Sequence, residues 1–139
     1  MDQDERLSIA GRALPDAAGR EGMDREGRLH PDAVAALRAS GVARAAVPAE
    51  LGGPQLNPMA QIELVEEFSR VDGAVGWCAM IAAAASYSCG FLQPAAAKRW
   101  FGPVDACLAG QLAPTGRAER VDDGFVVSGR FRFGSGISH

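Results

Sequence analysis

Gly124-Phe125-Val126-Val127-Ser128-Gly129-Arg130-Phe131-Arg132-Phe133-Gly134-Ser135-Gly136 runs as a tight turn, an aromatic strand and a string of small residues. Arg130, Phe131, Arg132 and Phe133 alternate polar with apolar, which is the period of a half-buried strand. Just upstream, residues 117–121 and 125–128 read as a hairpin around Asp122-Asp123-Gly124. Residues 106–112 are small and apolar, as suits a buried strand. A strand ending this way can set a flat ring and a hydroxyl against a planar cofactor, because such a ligand needs an apolar wall and a few placed donors.

Outward from this region, toward the N-terminus, the period becomes helical. Residues 7–18 read as a first helix, limited or kinked by Pro15. His30-Pro31 reads as an N-cap with proline at the first helical position, leading into residues 33–39 and ending at Gly41. Asn57-Pro58 repeats the device. After it Met59, Ile62, Val65 and Phe68 form an apolar stripe, Glu63, Glu66, Glu67 and Arg70 take the water side, and Gly73 ends the helix. Gln93-Pro94 opens a short helix over 95–101 that Gly102-Pro103 breaks. Helices first and antiparallel strands afterwards is an α+β order. The expected division is an all-α helical domain over residues 1–103 and the opening strands of a β-domain over 104–139.

Residues 74–92 hold no charged side chain, which approaches the length that crosses a bilayer. They are mainly Ala, Gly, Ser and Cys, so insertion would be weakly driven. Trp77, Met80, Ile81 and Ala84 recur at helical spacing with small residues between them. The expectation is therefore a central helix packed on all sides by others, and no membrane span.

With 139 residues the chain is long enough for a real core, and a net charge of −3 supplies no basic stripe for nucleic acid. Cys78, Cys89 and Cys107 fit no zinc or disulfide spacing, and Cys78 and Cys89 would lie about 16 Å apart on one helix. They read as reduced, mostly buried thiols of a cytoplasmic protein. Met1-Asp2-Gln3-Asp4-Glu5-Arg6 is acidic where an export signal would be basic and then apolar.

Nucleotide-phosphate loops, hydrolase elbows and zinc-protease motifs are all absent. The two histidines, His30 and His139, have no metal partner in prospect, so no metal site is expected. Glu63, Glu66 and Glu67 fit a solvated helix face better than an acid/base cluster.

Four phrases carry a resemblance. Val47-Pro48-Ala49-Glu50-Leu51-Gly52-Gly53 resembles the loop between early helices in the acyl-CoA dehydrogenase superfamily, where "vPeelGG" recurs. Asp72-Gly73-Ala74-Val75-Gly76-Trp77 and Leu112-Ala113-Pro114 are similar to the same proteins, and residues 123–135 resemble the family's "dGyvlnGxKxWiT" segment. The resemblance implies an N-terminal helical domain, a middle β-barrel and a C-terminal four-helix bundle, with this chain supplying the first part and the opening of the second. It implies FAD as cofactor. Phe133-Gly134-Ser135 falls where the family has Trp-Ile-Thr, so Phe133 would lie against the flavin ring and Ser135 would offer a hydroxyl near flavin N5. Gln111 and Leu112 would fall on the strand whose backbone holds the pyrimidine side. The catalytic carboxylate of the dehydrogenases lies in the C-terminal bundle, so no catalytic residue is assigned in this chain.

The activity so implied is flavin-dependent oxidation of an acyl thioester CH–CH bond, by an enzyme that takes a small-molecule substrate and is a homo-oligomer at full length. Departures from the pattern suggest an alternative. Leu112-Ala113-Pro114-Thr115-Gly116-Arg117 replaces the usual Thr-Glu-Pro and Gly-Ser-Asp phrases, and the shorter link is closer to the flavin-dependent monooxygenase branch. Those hydroxylases use reduced FMN or FAD supplied by a reductase. Many carry a histidine on the central helix where this chain has Ala85. A third reading is a non-catalytic helical domain that docks on a larger partner through an open strand edge. The expectation on completeness is a truncated portion of a considerably longer flavoprotein, since an unpaired sheet edge invites aggregation.

Overall fold

Local capping sets where the helices begin. His30 Nδ1 accepts from the Asp32 N–H at 3.3 Å, Pro31 fills the first helical position, and Gly41 ends the helix in left-handed backbone at φ 72°. Asn57 Oδ1 accepts from the Ala60 N–H at 3.0 Å ahead of Pro58 in the same way. The computed structural model describes residues 2–11, 17–110, 113, 115–132 and 134–138. Among these, the helices are α1 (Gln3–Gly11), α2 (Ala17–Glu26), α3 (Pro31–Ser40), α4 (Pro58–Val71), α5 (Gly73–Ser86) and α6 (Pro94–Phe101). Short 3-10 turns lie at Val42–Arg44, Ala49–Leu51 and Tyr87–Phe91. Two antiparallel strands follow, β1 (Gly116–Val121) and β2 (Gly124–Gly129), registered Gly116 with Gly129 and Val121 with Gly124. Helices followed by an antiparallel hairpin is the α+β order expected.

The core is built around the α4–α5 pair, with α1 on α4 and the Val42–Arg44 turn beneath α5. Phe68, Leu64, Val75, Ala79 and Val42 are buried together there. Gly76 marks the close approach of the pair: a Cβ at this position would collide with Ser69 Oγ and stand 2.7 Å from Ser69 Cα. Buried Ser86 joins α5 to the loop below, accepting from the Ala46 N–H at 2.9 Å and donating to the Ala83 carbonyl at 2.6 Å. A smaller cluster of Val47, Cys89 and Phe101 seats α6.

The structure corrects several expectations. The single helix over 7–18 is replaced by α1 and α2, with Pro15 outside the described residues. The α4 stripe is rotated: Ala60, Gln61, Leu64, Phe68 and Val71 are buried, whereas Met59 and Ile62 are 63% and 51% exposed. Two neighbours on one side, α1 and α5, choose the buried face, and a helix with apolar residues on both flanks does not encode that choice. Gly73 does not end α4 but opens α5, because Asp72 closes one helix and caps the next.

The expected all-round burial of α5 is also replaced, by one-sided burial. Val75, Ala79 and Ala83 face the core, while Trp77 stands 55% exposed. Gly73–Phe91 is long and apolar enough to cross a membrane, at mean hydropathy 1.4, yet its inner face is part of the helical core. Residues 106–110 form no strand, since no strand lies beside them among the described residues and a strand exists only as a ladder. Residues 130–132 make no ladder either, and Phe133 lies outside the described residues.

Candidate functional site

Residues 134–138 fold into a turn in which the Ile137 N–H donates to the Gly134 carbonyl at 3.0 Å. The turn returns to the helical domain at two points. Trp77 Nε1–H donates to Ser135 Oγ at 2.9 Å, and the Arg28 guanidinium donates to the Ser138 carbonyl at 2.8 Å. Trp77 can reach outward because its neighbours Val75 and Gly76 turn into the core. With the indole N–H filling one lone pair of Ser135 Oγ, the serine keeps its own proton to give to another acceptor.

Two cavities flank this contact. Ser135, Gly136, Trp77, Cys78, Ala74 and Arg28 help line an open one of about 500 Å³. Ser135 and Gly136 also close a small one of about 40 Å³ with Cys78, Cys107, Leu108 and Val34. On another side of α5, Ile81, Ala84, Ala85 and Ser88 face Leu108, Ala109 and Gly110 across a groove of about 320 Å³. Ala85, the position flagged for its missing histidine, lines that groove. The segment on its far side leads to Gln111 and Leu112.

Of the expected cofactor-binding residues, Ser135 is brought against α5 and Gly134 lies beside it in the 134–138 turn, while Gln111, Leu112 and Phe133 lie outside the described residues. Phe131 supplies an exposed aromatic ring nearby in sequence, lying over Gly116 so that a Cβ there would come within 2.5 Å of it. A hydroxyl with a proton to give, glycines on both sides and an exposed indole beside it suit the polar edge and face of a flat heterocycle. The donor set present thus fits part of a flavin cradle.

The other titratable groups point elsewhere. Burial pushes the Cys78 thiol up, with Cys107 adding to the effect, and burial likewise pushes Cys107 up against the opposing pull of Arg38. All three cysteines are free, although Cys107 is exposed rather than buried as expected. The glutamates of α4 form a solvated face: Glu67 pairs with Arg70 at 2.7 Å, and the Gln3 amide donates to Glu63. No group of three or more metal-ligating side chains occurs among the described residues.

Sequence reading missed the contact between Trp77 and Ser135, which lie 58 positions apart. Both residues stood out in the family phrases, but no periodicity or spacing joins them.

Comparison with known proteins supplies the remaining findings. The family model for the acyl-CoA dehydrogenase N-terminal domain matches residues 10–104. An indole-3-acetate monooxygenase of Pseudomonas putida is 33% identical over 114 residues, covering 82% of this chain and 29% of that protein. One from Acinetobacter baumannii is 37% identical with the same coverage. The fold superposes on XiaF from Streptomyces sp., solved in complex with FADH2 and glycerol, at a TM-score of 0.87 and 24% identity over 99% of this chain and 35% of that one. It also superposes on 3-HSA hydroxylase from Rhodococcus sp. RHA1, at a TM-score of 0.78 and 25% identity over 98% of this chain and 34% of that one. The chain therefore spans about a third of the length of these four relatives, 29% to 35%.

Proposed function

This chain belongs to the acyl-CoA dehydrogenase N-terminal domain family, and on that premise we propose that it is the N-terminal, flavin-side portion of a flavin-dependent monooxygenase that hydroxylates a small organic substrate. The observation that carries the reading is its 33% and 37% identity to two indole-3-acetate monooxygenases over 82% of the chain. The monooxygenases named above favour this reading over oxidation of an acyl thioester CH–CH bond, the other reading of the same superfamily. The division into a helical domain over residues 1–103 and a β-domain beginning at 104 belongs to the same proposal, as does a cytoplasmic location.

Reduced FMN or FAD, delivered by a separate reductase, would supply the electrons that activate oxygen. The chain's own residues would then bind and orient. Ser135 would donate its hydroxyl proton to the flavin edge, held in that orientation by the Trp77 indole N–H. Gly134 would leave the backbone bare for close approach, Phe133 would lie against the ring, and Gln111 and Leu112 would offer backbone groups to the pyrimidine side. The alanine-lined groove along α5 would exclude water from the apolar part of the substrate.

The test uses the product of the whole gene. Incubated with a flavin reductase, NADH and oxygen, it is expected to convert an aromatic acid or phenol to a hydroxylated product, with no turnover when the reductase is left out. Anaerobic bleaching of its flavin by an acyl thioester, with no reductase-dependent hydroxylation, would overturn the reading.

A further inference from the structure

Cys78 of α5 and Cys107, in the irregular segment after α6, share the walls of the cavity of about 40 Å³ that Ser135 and Gly136 close. A space of this size holds at most a few waters, so groups on its walls stand close across it. Apart from the two thiols, Arg38 of α3 and Ser135, its lining is apolar. The third cysteine, Cys89, does not line it and is buried elsewhere, with Val47 and Phe101.

Access differs between the two thiols. Cys107 is exposed, whereas Cys78 is half-buried. Burial pushes both up, but Arg38 pulls Cys107 back toward its thiolate, while Cys107 pushes Cys78 further up. Cys107 is therefore the thiol that an oxidant in water meets first, with Cys78 behind it. The segment carrying Cys107 is also the one that can adjust. Residues 106–110 belong to no ladder and are seated by side-chain packing, with Leu108 against the Val47, Cys89 and Phe101 cluster. A disulfide needs Cα atoms about 4.4–6.8 Å apart, and meeting that requirement asks movement of this segment rather than of α5.

We propose that Cys78 and Cys107 are an oxidation site, a thiol pair that hydrogen peroxide closes to a reversible disulfide tying the segment after α6 to α5. In the first step peroxide transfers one oxygen to the Cys107 sulfur, giving a sulfenic acid and releasing water. In the second, the Cys78 sulfur attacks the Cys107 sulfur. The S–O bond breaks, the S–S bond forms, and the departing hydroxide leaves as water with the Cys78 proton. Overall two thiols lose two electrons and one peroxide is reduced to two waters. Because Ser135 and Gly136 close the same cavity, the bridge would clamp residues 106–110 beside the Ser135 turn. The chemistry does not rest on the flavin reading, in which neither thiol is assigned a part.

The product of the whole gene, reduced and then freed of reductant, is treated with hydrogen peroxide in the absence of flavin reductase and NADH. Remaining thiols are blocked with N-ethylmaleimide, and the protein is digested with chymotrypsin, which cuts at Tyr87 between Cys78 and Cys89. Mass spectrometry is expected to find the Cys78 and Cys107 peptides joined, the link lost on adding dithiothreitol, and Cys89 carrying maleimide. Cys78→Ser should abolish the link and leave Cys107 as a sulfenic acid that dimedone captures. Cys107→Ser, a change at an exposed position, should leave Cys78 reduced at the same peroxide dose. In denaturing urea the selectivity should vanish, with Cys89 joining as readily as Cys78, because the fold and not the sequence pairs the sulfurs. The proposal is overturned by Cys107 passing to the sulfinic acid with no joined peptide, by a link to Cys89 in the native protein, by a link between two chains on a non-reducing gel, or by selectivity that survives in urea.

Discussion

Asp72 serves two helices at once. Its backbone N–H donates to the Phe68 carbonyl at 3.1 Å, and its carboxylate accepts from the Ala74 and Val75 N–H groups at 2.8 and 3.2 Å. Asp72→Ala should cost about 1–2 kcal/mol in a urea titration, the scale of a lost N-cap. At Trp77 the ring matters less than its N–H. Trp77→Phe should cost under about 1 kcal/mol because the hydrogen bond is exposed, and should speed amide exchange across residues 134–138. The raised thiols of Cys78 and Cys107 set a pH dependence. Cys78, the less exposed of the two, stays protonated at neutral pH, so its alkylation by iodoacetamide should be slower than for a free thiol and should accelerate only as pH rises beyond the usual thiol range. The fold favours the neutral thiols, so their contribution to stability is present at low pH and lost on the alkaline side. Alkylation at neutral pH as fast as that of a free thiol would contradict this.

At the level of elements, the capped helices were legible and their faces were not. His30-Pro31, Asn57-Pro58 and Gln93-Pro94 each announced a helix that the structure contains, because a cap works within four residues of itself. α2 escaped notice because it is polar and glycine-containing, with Met23 as its core contact. Residues 106–110 have strand-like composition but lack the partner that would make a ladder. The α4–α5 seam depends on shape rather than on apolarity. Gly76→Ala would push a methyl group into Ser69 and should cost about 1–3 kcal/mol, or lower the thermal midpoint by several degrees.

Across the whole molecule, stability is uneven. The α4–α5 core buries Phe68, Leu64 and Val75 almost completely, whereas the β1–β2 hairpin is exposed along nearly its whole length, with Phe125 at 65%. A lone two-stranded hairpin is marginal in water. In hydrogen exchange followed by mass spectrometry, residues 116–129 should therefore exchange well before residues 60–71 and 75–86. Equal protection of the two regions would contradict this ordering.

The α+β order, the starts of three helices, the hairpin turn and the family phrases were legible along the chain, because each rests on interactions between residues close in sequence. Only the closed chain fixes which face of α4 is buried, that α5 is covered on one side and that Ser135 meets Trp77. These are meetings of groups tens of residues apart. Their energies depend on how surfaces fit once the chain has closed, and no local period records that fit.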